Sequence, residues 1–161
     1  MRTHIIDLTP EIASVLLSRN PKSQNRTLNA AYVEGLARDM SSGRWDGLNG
    51  QTIVVSKCGY LNDGQHRCNA IVASGVTVKM LVVFGAERDA RLTIDQNRTR
   101  SAADNLGIVG MKNTASVAAI TSAFMSLLSG ARGHSPNRGA LNLSKANRPT
   151  KQEIRDYAVK H

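Results

Sequence analysis

Cysteine is scarce in this chain: only Cys58 and Cys68 occur among the 161 residues. Neither has a second ligand pair beside it, which excludes a disulfide framework and a zinc cluster, so both are expected to be reduced thiols. The four histidines, His4, His66, His134 and His161, are scattered and show no metal-binding spacing. Any metal is therefore expected to arrive with a nucleotide. Aromatic residues make up 4% of the chain, which gives base stacking little support. No apolar run reaches the roughly eighteen residues of a membrane span. His4 and Asp7 also break any signal-like start, so the expectation is a soluble cytoplasmic protein with no membrane partner.

Acidic residues are the other shortage. Twelve Asp and Glu stand against 21 Lys and Arg, giving a formal charge of +9. Such a chain attracts polyanions, and nucleic acid at low salt above all. The excess is concentrated in residues 132–151, where Arg132, Arg138, Lys145, Arg148 and Lys151 occur without one Asp or Glu. Gly133, Pro136, Gly139 and Pro149 in the same stretch argue for an irregular basic loop, placed at residues 131–151. It reads as an arm for the backbone of DNA, with a solvated linker as the alternative.

Apolar residues, at 41%, are ample for a core. Thr9-Pro10-Glu11 is a helix start, with Ile12, Val15 and Leu16 as its apolar face, and residues 28–40 form a second amphipathic helix. Thr52-Ile53-Val54-Val55-Ser56, a Cys58-Gly59 turn and Tyr60-Leu61 read as a hairpin. Residues 76–84 read as the next strand, and a short helix can begin at Glu87. In residues 116–128, Val117, Ile120, Phe124 and Leu127 or Leu128 make one face of a core or partner helix. Thr150-Lys151-Gln152-Glu153 is a capping-box pattern opening a last helix. That helix is cut off at His161, which suggests a fragment of a longer protein or a partner-binding end. Trp45, beside a glycine turn, is expected to plug the edge of the core, with a stacking platform as the alternative.

The most informative residues are Asp63-Gly64-Gln65-His66-Arg67-Cys68-Asn69-Ala70, where a strand hands over to a helix. A helix beginning at residues 64–67 presents the positive end of its dipole, and Gly64 lets a ligand approach the backbone. Arg67 can offer a bidentate fork to phosphate and His66 a titratable donor. The alternative is that Asp63 only caps the helix and Arg67 lies solvated on its face.

This octet resembles the Gly-x-x-Arg-x-x-Ala helix start of the ParB/sulfiredoxin superfamily, in its phage-type ParB-like variant. Asn20-Pro21, Asn25-Arg26, the helix around residues 33–40, Gly43-Arg44-Trp45 and residues 51–55 are similar to that family's preceding segments in the same order. The resemblance covers roughly residues 5–85. It implies a mixed α/β domain with a small sheet flanked by helices, in a bacterial or phage-infected cell. It also implies phosphate contacts at Gly64, Gln65, His66 and Arg67, and at Asn25 and Arg26. Sulfiredoxins carry their nucleophilic cysteine where this chain has Gln65, so the resemblance does not extend to sulfiredoxin chemistry. Cys68 is expected to be a buried apolar residue.

A second segment, residues 93–104, sets Arg98 and Arg100 between Asp95 and Asp104. It resembles an Asp, Arg and Ser-Ala-Ala-Asp segment of the phage-type relatives. The two arginines can neutralise a second phosphate or a nucleic-acid strand, and Asp95 can hold a nucleotide-bound Mg²⁺ or orient a water. The alternative for both acids is that they pair with these arginines or cap the next helix, which is the expectation for Asp104. The expected division is a ParB/sulfiredoxin-like domain over residues 1–95 and a helical extension over 96–161, with room for an oligomer.

Two functions follow. One is an enzyme, an NTPase or nuclease, binding a nucleoside triphosphate with Mg²⁺ at residues 64–67, with Asp63, His66 and Asp95 as candidates for acid–base or metal roles. The other is a non-catalytic DNA-binding or regulatory module of a phage or mobile element.

Overall fold

The structure is a computed structural model that describes residues 1–20, 27–93, 100–129 and 148–161. The chain divides into two compact units, Met1–Asn97 and Arg98–His161. The first unit is mixed α/β, as expected, and is built on four strands in the order β1-β4-β2-β3.

Strand β1 (Arg2–Leu8) was not foreseen. It lies antiparallel to β4 (Val78–Ala86), with Arg2 opposite Phe84 and Leu8 opposite Val78. It is an edge strand, so only Leu8 is fully buried while Ile5 is exposed, and the usual apolar alternation is reduced to Ile6 and Leu8. Strand β2 (Thr52–Ser56) runs parallel to β4 and antiparallel to β3 (Leu61–Asp63), which gives the expected hairpin. Central β4 thus pairs on both sides. Its Val78, Met80 and Val82 are buried at period two, together with Ile53 and Val55 of β2.

Thr9 caps helix α1 (Pro10–Ser18), its hydroxyl accepting from the Ile12 N–H at 3.3 Å, and Pro10 supplies the helical φ at the first position. Its inward face is rotated from the expected one. Ala13 is buried and Leu16 and Leu17 pack on the core, while Ile12 and Val15 are exposed. Helix α2 (Ala30–Ser41) starts two residues later than expected because the Asn29 side chain caps it by accepting from the Tyr32 N–H at 3.2 Å. It buries Val33, Leu36 and Met40, and also Asp39, which pairs with Arg44 Nε at 3.1 Å. Trp45 follows the Gly43 turn and packs against the core, as expected. Helix α3 (Gln65–Ser74) crosses from β3 to β4, packs on both α1 and α2, and is ended by left-handed Gly75. A 3₁₀ turn, Arg88–Thr93, closes this unit's described part.

The second unit holds α4 (Ala102–Ile108), α5 (Thr114–Leu128) and α6 (Lys151–Lys160). Asp104 caps α4, one of its two expected roles: Ser101 and Asp104 form a reciprocal capping box, and Thr150 and Glu153 do the same for α6. Among the described residues of this unit, Leu106 and Ile154 are the buried apolar ones. The apolar face expected of α5, as a core or partner helix, does not lie in the core of this unit. Ile120, Phe124, Leu127 and Leu128 point outward, and Thr121 and Ser126 are buried instead. No helix among the described residues is long and apolar enough to cross a membrane.

Candidate phosphate site at the start of α3

Strand β3 ends at Asp63 and α3 begins at Gln65, so a single residue turns the chain. Gly64 does this with φ +103°, and a Cβ there would lie 2.4 Å from Ile53 Cδ1 and 3.4 Å from Ile53 Cα. The helix start is thereby pressed onto β2, and no side chain caps it. The first intrahelical bond runs from the Cys68 N–H to the Gly64 carbonyl at 2.9 Å.

Asp63 and Arg67 hold this turn from both sides. The Gly64 N–H donates to Asp63 Oδ1 at 2.6 Å, and Arg67 Nη2 donates to Asp63 Oδ2 at 2.6 Å and to the Thr52 carbonyl at 2.7 Å. Arg67 Nη1 donates to Gln51 Oε1 at 2.9 Å. The pair is largely buried, with side-chain exposures of 13% for Arg67 and 22% for Asp63. Arg67 therefore does not lie solvated on the helix face. It fastens the first turn of α3 to the start of β2 and the end of β3. Among the described residues its Nε has no hydrogen-bond partner and is itself buried.

The next two side chains reach the connection between α1 and α2. Gln65 Oε1 accepts from Asn20 Nδ2 at 3.2 Å, and His66 Nε2 accepts from the Asn29 N–H at 3.0 Å. Accepting at Nε2 requires that nitrogen to be unprotonated. The His66 ring also meets Tyr32 edge-on at 5.4 Å. The residues flanking 21–26 on either side are thus tied to the first turn of α3. Asn25 and Arg26 themselves lie outside the described residues, as do Asp95, Arg98, Arg132, Arg138 and Lys145.

Three predicted cations are described in the second unit. Lys151 Nζ donates to the Arg100 carbonyl, which brings together two residues chosen for different reasons, and Arg148 is exposed two residues before the Thr150 cap. Among the described residues, no group of three His, Cys, Asp or Glu side chains is placed to hold a metal. Both oxygens of Asp63 are engaged, so a magnesium ion here would be carried mainly by phosphate oxygens.

Cys68 lies on α3 with no exposed surface. Burial pushes its thiol up to about 12, with Arg67 pulling it down and Asp63 pushing it up. Such a thiol is neither a nucleophile nor a metal ligand at neutral pH, and a thiol-specific reagent should label exposed Cys58 while leaving Cys68 unmodified until the protein unfolds. The folded state keeps a proton that an unfolded thiol releases near pH 8.5. This contribution to stability is complete below about pH 8.5 and is lost at about 1.4 kcal/mol per pH unit as pH rises toward about 12. Urea melts of the wild type and Cys68→Ala should therefore converge in stability over that range. Parallel curves would contradict the assignment.

Arg88 was missed by sequence reading. Its Nη1 donates to the Leu61 carbonyl at 2.9 Å and to Asn62 Oδ1 at 2.7 Å, and its guanidinium lies 5.6 Å from the Tyr60 ring centroid. Burial, with neighbouring Arg91 adding to it, lowers its pKa from the usual arginine range. It fastens edge strand β3 to the 3₁₀ turn. No spacing rule links residues 62 and 88, so the contact exists only once the sheet has formed.

Comparison with protein-family models, curated proteins and solved structures finds no match for this chain.

Proposed function

We propose that the first unit is a ParB-like phosphate-binding module that holds a nucleotide at the start of α3 and acts with DNA. The observation that carries this reading is that two residues of the α1–α2 connection are hydrogen-bonded to the first turn of α3. Asn20 and Asn29, which flank the segment containing Asn25 and Arg26, are hydrogen-bonded to Gln65 and His66, next to Gly64 and Arg67. The positive end of α3 favours an anion such as phosphate. The formal charge of +9 supports a polyanionic partner.

Binding is better supported than catalysis by Asp63, since that carboxylate accepts from Gly64 and from Arg67 with its two oxygens. His66 is engaged in the same way, its Nε2 accepting from the Asn29 N–H, so if the site hydrolyses a nucleotide or a phosphodiester the base is to be sought at Asp95. Calorimetry of the full chain with each nucleoside triphosphate and Mg²⁺ tests the site. Arg67→Lys, which keeps the charge and loses the bonds that fasten the first turn of α3 to Gln51, Thr52 and Asp63, is expected to weaken binding by about ten- to a hundredfold. Absence of binding by any nucleotide, or no change in Arg67→Lys, overturns the reading. Turnover that survives Asp63→Ala and Asp95→Ala together would remove both residues from catalysis.

The DNA half of the proposal makes a separate prediction. Affinity should fall steeply as salt rises, and neutralising Arg138, Lys145 and Arg148 should flatten the log–log slope by about 2 to 3. A salt-independent affinity would reject the arm.

A further inference from the structure

Helix α5 is built inside out. Its outward stripe is apolar over three turns, comprising Ala119, Ile120, Ala123, Phe124, Leu127 and Leu128, while the buried positions include Thr121 and Ser126. Ile120 is 69% exposed, Leu128 65%, Leu127 58% and Phe124 46%. A helix facing solvent presents the opposite pattern, so this stripe is made to be covered.

We propose that a second copy of this chain covers it, forming a two-fold dimer through α5. Three observations select that occupant. First, Thr114–Leu128 contains no ionisable side chain. The stripe thus has no charge with which to choose a polyanion or a charged peptide, and pairing it with itself brings no like charges into the seam of two chains that are each +9. Second, the stripe is self-complementary. Ile120, Phe124 and Leu128 form an i, i+4 ridge beside the shallow row of Ala119 and Ala123, and two such helices crossing at about −50° place each ridge in the other's groove. Third, the stripe presents on the order of 500 Å² of apolar surface, so two copies bury about 1,000 Å², the lower bound for a specific interface. Phe124 also meets Tyr157 of α6 at 5.9 Å, which steadies the edge of the ridge.

Sedimentation of the nuclease-treated full chain, from low to high micromolar and in molar salt, tests the proposal. A dimer should accumulate with concentration and persist in high salt, because its interface is uncharged. Ile120→Lys combined with Leu128→Lys, both at exposed positions, should weaken association at least about tenfold with helical circular dichroism unchanged. If those changes cost helicity, Ala123→Gln, also exposed, carries the test by filling the groove. Three results overturn the proposal: a monomer at every concentration, a dimer indifferent to these substitutions, or α5 amides equally protected from exchange in the dilute monomer. The last would mean that this chain covers its own stripe.

Discussion

Gly64→Ala is expected to destabilise the first unit by about 3 kcal/mol and to abolish nucleotide binding at α3. Two costs add. A backbone φ of +103° lies in the region favoured by glycine, and a β-carbon there would lie 2.4 Å from Ile53 Cδ1. Ile53 has no exposed surface, so its side chain has nowhere to move without disturbing the core. The remaining response is to lift the first turn of α3 off β2, which breaks the geometry that joins Arg67 to Thr52 and Asp63. Urea denaturation measures the first effect and calorimetry the second. A loss below about 0.5 kcal/mol, with binding intact, would mean that the turn relaxes and is no constraint on the site.

The second large effect concerns the Asp63–Arg67 pair. Asp63→Ala leaves a largely buried guanidinium without its counter-charge, at a cost of about 2 to 3 kcal/mol; the residual exposure of both side chains places it toward the lower end for broken buried pairs. A double-mutant cycle with Arg67→Ala should give a coupling of about 1 to 3 kcal/mol. Asp63→Asn separates the structural role from a chemical one. It keeps an acceptor for the Gly64 N–H but loosens Arg67, so stability and nucleotide affinity are both expected to fall modestly. A general base would behave oppositely, with turnover falling about a hundredfold or more and stability nearly unchanged.

Local signals read well from sequence where one residue type has one physical use. Thr9 and Thr150 cap helices, and Asp104 takes the capping role at α4 that was one of its two expected ones. The β2–β3 hairpin and the strand-to-helix octet follow from the same kind of signal. What sequence reading missed depends on partners. Strand β1 carries His4 and Asp7 because an edge strand need bury only part of one face, so its pairing with β4 leaves little apolar pattern to read. The face of α1 differs from the expected one, and that of α5 is left open between core and partner, because periodicity reveals a stripe without saying what lies against it. At the site, the octet marked the right place, but the role of Arg67 as a fastener between two strands needs Thr52 and Gln51 beside it. That proximity is a product of the hairpin.

Backbone amide chemical shifts on addition of a nucleoside triphosphate with Mg²⁺, at moderate salt, test the central proposal most directly. Nucleotide held at the start of α3 predicts saturable shifts centred on Gly64, Gln65, His66 and Arg67, with smaller ones at Asn20 and Asn29. Unmoved residues 64–67, or shifts confined to the basic residues between 131 and 151, would contradict it and leave only diffuse attraction of a polyanion to a basic chain.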